Sequence, residues 1–435
     1  MNKVKTRALS VYILAAVAVL GMGFYVVRLI ISGSEWASTP FNVTAQGRGS
    51  IVDRNGVVLA DITDGRRTFA DNADVRRATL HAVGDSRGNI GTGALVAFAS
   101  ERTGYNFITG SYSLTNTGRQ IELTIDSVLN KVALNELRGR RGAVIVSNYL
   151  TGDVLCMVSS PTFDPYDPPR NPDREEAPFL NRAIQSAYPP GSTFKLVTVA
   201  AAIEQISGIY DRVFICNGEL ETRLGTITCP GEHGTLGFEQ GMLRSCNIVY
   251  GELALEMGAD IMAEYTRRFK LSESITVGGI TTKKGNFDKA PPGSANLAWS
   301  GVGQYNNEVC PATMLYFVGA IANDGIAVEL QLLRRTGLSA VFSGRTERLL
   351  NPSTARQLGD IIEVQNRNIF PGLEMHAKSG TAEVGGGMEN HAWYVGYITN
   401  ENYPLAFVVI VENGGGGFDE ASPIASRVLR EAIGR

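Results

Sequence analysis

Tyr188-Pro189-Pro190-Gly191-Ser192-Thr193-Phe194-Lys195-Leu196-Val197-Thr198-Val199 is the stretch on which the reading of this chain turns. The Pro-Pro-Gly run cannot be helical throughout, so the apolar helix expected over residues 194–206 begins at or just after Gly191. Ser192 then sits at a helix N-terminus, where unpaired N–H groups and the macrodipole favour negative charge. Lys195 follows at i+3, one turn on along the same face. A serine needs a neighbouring base to attack a carbonyl, and a lysine desolvated in a cleft loses its proton near neutral pH. Taken singly, the pair would also suit an N-cap serine and a solvated lysine.

Two further elements change that balance. Ser245-Cys246-Asn247 falls near the start of a helical stretch read over residues 240–257, and Lys378-Ser379-Gly380-Thr381 falls inside a strand read over 374–382. Alone, Ser245 would be a turn or cap residue and Lys378 a solvated strand lysine. In this order they resemble the S-x-x-K, S-x-N and K-[ST]-G set of penicillin-binding proteins. Residues 48–59 resemble the hairpin that opens the class B, transpeptidase-only members, and Leu123-Thr124-Ile125-Asp126 resembles the lead-in to their catalytic domain. Asn181-Arg182-Ala183, residues 320–325 and residues 391–397 match as well, so the likeness covers nearly the whole chain after its first apolar segment. The chain departs from the family at Gln304-Tyr305 and Cys310-Pro311, which concerns the wall beside the site. The segment before Ile121 is short and resembles the members with a reduced pedestal.

Working outward, residues 142–146 and 154–159 read as a strand hairpin, and 374–382, 391–399 and 405–412 as three more strands. Helices are expected over 127–137 and 420–432. An economical α+β arrangement places all five strands in one antiparallel sheet, with the terminal helices on one face and the helical middle as a second lobe. The cleft between lobes is the default site. Residues 48–59 form a hairpin around Asn55-Gly56, and 61–118 read as a small, loop-rich unit without a long helical period. Trp393, Tyr394 and Tyr397 read as core strand aromatics, and Asp53, Arg54 and Arg182 as structural ion-pair residues.

With 435 residues the chain is long enough for two or three units, and its net charge of −3 offers no basic field for nucleic acid. Residues 8–27 carry no charge, enough for a span, with Lys3, Lys5 and Arg7 before them and Arg28 and Trp36 beyond. The organisation expected is a cytoplasmic tail over 1–7, a transmembrane anchor over 8–31, a connector and small pedestal over 32–120, and a transpeptidase domain over 121–435. A cleaved signal peptide and a buried core helix are the rival readings of the first segment; only Ser32-Gly33-Ser34 offers a weak cleavage site. Positive residues before the span place the N-terminus inside and the remainder outside the membrane. There, Cys216 and Cys229 are a disulfide candidate closing a short loop, the alternative being two free thiols. Cys156 and Cys310 read as core residues. No Cys/His group shows metal-ligand spacing, so no metal and no cofactor is expected.

The resemblance implies roles. Ser192 attacks the carbonyl between the two terminal D-alanines of a peptidoglycan stem peptide, Lys195 takes its proton, and Ser245 and Asn247 relay or orient. Lys378 supplies positive charge, while Ser379, Gly380 and Thr381 line the substrate, the two hydroxyls binding its carboxylate. Backbone N–H groups of Ser192 and Thr381 form the oxyanion hole. β-Lactams are implied as covalent inhibitors and an SEDS-type membrane glycan polymerase as a partner, since glycan polymerisation comes from another protein. The alternatives are a D,D-carboxypeptidase, and a non-catalytic β-lactam sensor or polymerase-activating scaffold.

Overall fold

The computed structural model describes residues 11–27, 49–63, 66–102, 118–170, 176–334, 344–366 and 372–434. The expected tail over 1–7, the flanks Arg28 and Trp36, and the polar connector over 32–47 lie outside them. Residues 11–27 are helical, with exposed apolar side chains. Among the described residues no helix is long and apolar enough to cross a membrane.

Five strands, Met375–Ala382, His391–Ile398, Leu405–Val411, Gly142–Asn148 and Val154–Ser160, lie side by side in that order, each pair of neighbours antiparallel. The run Leu405–Val411 shows why the sequence is apolar without alternation. Leu405, Phe407, Val409 and Val411 enter one core, and Ala406, Val408 and Ile410 enter another. A strand covered on both faces has no polar side to present. One face carries Ser127–Leu137 and Gly417–Ile433, through Leu129, Ala133, Ile424 and Val428. The other carries Pro311–Ala322, a helix apolar around its whole circumference and buried accordingly.

Beyond that helix lies the helical lobe, and here the sequence reading needs correction. The single helix expected over 240–257 is two, Phe238–Leu243 and Asn247–Arg268, the second kinked at Gly258 with φ +82°. The unit read as loop-rich contains a helix, Ala73–Val83, whose Asn72 side chain caps the N–H groups of Asp74 and Val75. Asp53 is not an ion-pair residue. Its fully buried carboxylate accepts N–H bonds from Asn55 and Val57 across the hairpin turn, and from the N–H and hydroxyl of Ser127 at 3.1 and 2.7 Å. Arg182 does pair with Glu412, at 2.7 Å.

That Asp53 contact belongs to a larger continuity. Leu59, Val83, Leu95 and Phe98 sit in the same apolar cluster as Leu123, Val154 and Ile184. Ala73–Val83 packs directly on Ser127–Leu137 and Val154–Ser160. The described part of the N-terminal unit therefore shares its core with the sheet unit.

Candidate active site

The turn that carries Ser192, the expected nucleophile, is built by local backbone geometry and held from outside. Gly191–Phe194 is a 3-10 turn that passes into the α-helix Lys195–Gln205, so the helix starts where the Pro-Pro-Gly run requires. Gly191 has φ +53°, and a Cβ there would lie 2.5 Å from the carbonyl oxygen of Thr381. Only glycine allows the edge strand Met375–Ala382 to come this close. Gly380 makes the reciprocal approach, its absent Cβ facing Pro190 O and Thr193 Cγ2 at 2.8 Å. Trp393 Nε1 donates to Pro189 O at 2.9 Å, and Gly191 N–H donates to Gly303 O at 3.0 Å. Trp393 is a core aromatic, as its sequence context suggests, and also fixes the carbonyl three residues before Ser192.

Behind the turn, Lys195 is fully buried. Its Nζ donates to Ser245 O at 2.5 Å and Asn247 Oδ1 at 2.8 Å, and lies 3.2 Å from Ser245 Oγ. Lys378 Nζ donates to the same hydroxyl at 3.1 Å and to Ser379 O at 2.8 Å. One serine oxygen thus bridges two buried lysines. Burial, and then the proximity of Lys378, push the Lys195 ammonium well below the ordinary lysine value, while the Cys229 and Cys246 thiols act weakly the other way. Burial alone draws Lys378 down to about 8. None of the bonds to Lys195 involves Ser192. The lysine is aimed by the S-x-N loop rather than by Ser192.

The loop has its own geometry. Ser245 N–H donates to Met242 O at 3.0 Å and Cys246 N–H to Gly241 O at 2.9 Å, the paired bonds of a Schellman motif closing Phe238–Leu243. Ser245 occupies the left-handed position of that motif, at φ +51°, where glycine is usual. A serine here accepts backbone strain in return for a hydroxyl between the lysines. Ser379, Gly380 and Thr381 follow Lys378 on the edge strand, and Thr381 Oγ1 accepts the Gly417 N–H at 3.1 Å.

Beside the loop, the structure overturns two sequence expectations. Cys216 and Cys229 are free thiols, not a disulfide. They converge with His233 and Cys246, the four ligand atoms lying within 4.8 Å of one another. The sequence reading found no Cys/His group with metal-ligand spacing and took no account of Cys229-x-x-x-His233, the one local signal of this grouping. Cys156 and Cys310 are buried in the core as expected.

A serine opening a buried helix, with a buried lysine of lowered proton affinity behind it and a second lysine on the strand opposite, is the equipment of an acyl-transferring serine enzyme. The family described as "Penicillin binding protein transpeptidase domain" matches residues 142–430. This chain belongs to that family. The Mycobacterium tuberculosis (strain ATCC 25618 / H37Rv) protein named peptidoglycan D,D-transpeptidase PbpA is 28% identical over 333 residues, covering 67% of this chain and 67% of its own. The crystal structure of PBPA from Mycobacterium tuberculosis superposes with a TM-score of 0.77 at 24% identity, over 89% of this chain and 99% of that one. The penicillin G acyl-enzyme complex of penicillin-binding protein A from the same organism gives 0.74 at 24% identity, over 89% and 100%.

Proposed function

We infer that this chain is a class B penicillin-binding protein, a peptidoglycan D,D-transpeptidase acylated at Ser192 and blocked covalently by β-lactams. The observation that carries the assignment of roles is the Lys195–Ser245–Lys378 bridge. A neutral amine has two hydrogens and one lone pair. The carbonyl oxygens of Ser245 and Asn247, which can only accept, take both hydrogens of Lys195. Its third position meets Ser245 Oγ at 3.2 Å, so the lone pair is set to take a proton on that side.

In the first step Ser192 Oγ attacks the penultimate D-alanine carbonyl of a stem peptide as its proton passes to Lys195. The developing oxyanion is received by the N–H groups of Ser192 and Thr381. The peptide C–N bond then breaks, and D-alanine leaves with a proton returned through Lys195 and Ser245. An amine of a second stem peptide attacks the ester carbonyl, gives up a proton along the same route, and frees Ser192. Lys378, Ser379 and Thr381 receive the substrate carboxylate in this scheme. Loss of one oxyanion donor costs about 3 kcal/mol of transition-state stabilisation in comparable sites.

The anchor, the extracytoplasmic location and an SEDS-type glycan polymerase partner complete the proposal. The uncharged run over residues 8–27 and the basic residues before it support the first two. The family resemblance supports the third. The assignment is tested by fluorescent penicillin on the purified full-length protein. Wild type forms a covalent adduct that peptide mapping places on Ser192, and Ser192→Ala forms none while its circular dichroism is unchanged. Undiminished labelling of a folded Ser192→Ala protein would sink it. Because the core is shared across the N-terminal unit, the partner is tested with a form lacking residues 1–48. It should keep the adduct and lose co-purification with the polymerase, and full-strength co-purification would place the interface elsewhere.

A further inference from the structure

We propose that Cys216, Cys229, His233 and Cys246 form a closed zinc site that holds the Ser245–Asn247 loop against Lys195. The separations are those of a coordination shell. In a tetrahedron with Zn–S of about 2.3 Å and Zn–N of about 2.0 Å, ligand atoms stand roughly 3.5–3.8 Å apart. Here His233 Nδ1 lies 3.5 Å from Cys216 Sγ and 3.6 Å from Cys229 Sγ, and Cys229 Sγ lies 4.0 Å from Cys246 Sγ. A disulfide accounts for this poorly. It would need sulfurs at about 2.05 Å, would use two of three thiols, and would leave the imidazole among them without a purpose.

The surrounding fold supplies what a structural metal needs. Val213–Cys216 pairs with Gly234–Gly237, and Glu219–Thr222 pairs with Gly225–Thr228, giving two isolated hairpins. Val213, Ile215 and Leu224 on these segments are exposed. Phe214, Ile227 and Leu236 bury one face of these hairpins in the main core, but two-stranded pieces with the other face open are marginal by themselves and call for a staple. His233 N–H donates to Cys216 O and Cys229 N–H to Gly218 O, which brings the ligands from both hairpins to one point. Three soft thiolates and one imidazole in a closed set of four select zinc in the structural mode. Binding releases the thiol protons to solvent, and no other bond is made or broken.

Cys246 stands between Ser245 and Asn247, the two residues that aim Lys195. Cys229 Sγ also accepts the Asn247 N–H at 3.3 Å, a bond a metal-bound thiolate retains, and Asn247 Nδ2 donates to Thr228 O at 3.0 Å. The metal is thus a positioning element for the loop, outside the reacting atoms.

The test is metal analysis of the full-length protein, purified without chelator and again after stripping and reloading with zinc or cobalt(II). The expected result is about one zinc per chain, with a cobalt spectrum of tetrahedral thiolate coordination. Cys216, Cys229 and Cys246 should resist alkylation until the metal is removed. His233→Gln and Cys229→Ser should lower zinc affinity about 10-fold or more. A protein that takes up neither metal after reduction, or that carries a disulfide within the cluster, overturns the site. The loop-holding role rests on the acylation assignment and is read separately. Stripping should slow penicillin acylation about tenfold, with zinc but not magnesium restoring it. A stripped protein acylated at the full rate overturns that role while the metal count stands.

Discussion

Replacing Ser245 separates its backbone task from its chemical one. Its left-handed φ of +51° costs an L residue about 1–2 kcal/mol, and glycine escapes that cost. Glycine returns about 0.4–1 kcal/mol of the gain through the greater freedom of its unfolded chain. Ser245→Ala and Ser245→Gly both lose the hydroxyl between Lys195 and Lys378, so the lost hydrogen bonds cancel in their comparison. What remains is the backbone difference, about 0.5–1 kcal/mol in favour of Ser245→Gly. At about 2.1 cal/mol/K per residue, a unit of more than about 300 residues converts that into a melting-temperature difference of roughly 0.5–1.5 °C, readable by calorimetry on the two purified variants side by side. Penicillin acylation should fall in both, by about 100-fold or more if the hydroxyl relays a proton. An alanine variant as stable as the glycine variant, or more so, would refute the strain argument, because at an ordinary backbone position glycine is the weaker of the two.

The remaining expectations concern the base, the turn and the N-terminal contact. Lys195 must be neutral to act, and burial and then Lys378 set its proton affinity well below the ordinary value of 10.5, against a smaller opposing effect of Cys229 and Cys246. The acylation rate should therefore fall about tenfold per unit as pH drops below that lowered value, and a rate that tracked an ordinary lysine would contradict it. Lys195→Arg should lose about 100- to 10,000-fold in acylation, since guanidinium cannot take the proton; an active arginine variant would remove lysine from the base role. Trp393→Phe leaves Pro189 O without its donor, costing about 1–3 kcal/mol and slowing acylation, and unaltered acylation kinetics would mean the turn is held by other contacts. Asp53→Ala should cost about 1–3 kcal/mol in denaturant unfolding by orphaning buried N–H groups, and a neutral result would deny the hairpin its structural part.

What the sequence disclosed depended on how local each signal was. The five strands were legible because each is a short apolar run set off by turn residues, and their burial on both faces strengthened the signal. Ser192 and Lys195 were legible because one helical turn joins them. The break between Phe238–Leu243 and Asn247–Arg268 was not, because Arg244-Ser245-Cys246 carries no glycine or proline to mark it, and the left-handed residue is the serine that the site requires. Ala73–Val83 was missed for a similar reason. Its buried face relies heavily on alanine, at 78 and 82, which gives a weak apolar period beside Asp74, Arg76 and Arg77.

The Cys216–Cys229–His233–Cys246 cluster shows the limit most clearly. Its four ligands enter from two hairpins and a helix start, and their meeting depends on strand registers such as Cys216↔Gly234 that no local pattern fixes. The sequence therefore paired the two cysteines that looked nearest and left His233 and Cys246 out. The same non-locality governs the N-terminal unit. Its hairpin looked separable because its residues are contiguous, yet Asp53 reaches Ser127 and Leu59 shares a core with Leu123. A cut near Gln120 would expose that shared apolar face and strip Ser127 of the carboxylate capping its N–H and hydroxyl. The boundary between pedestal and catalytic unit is one of chain order, and the packing runs straight across it.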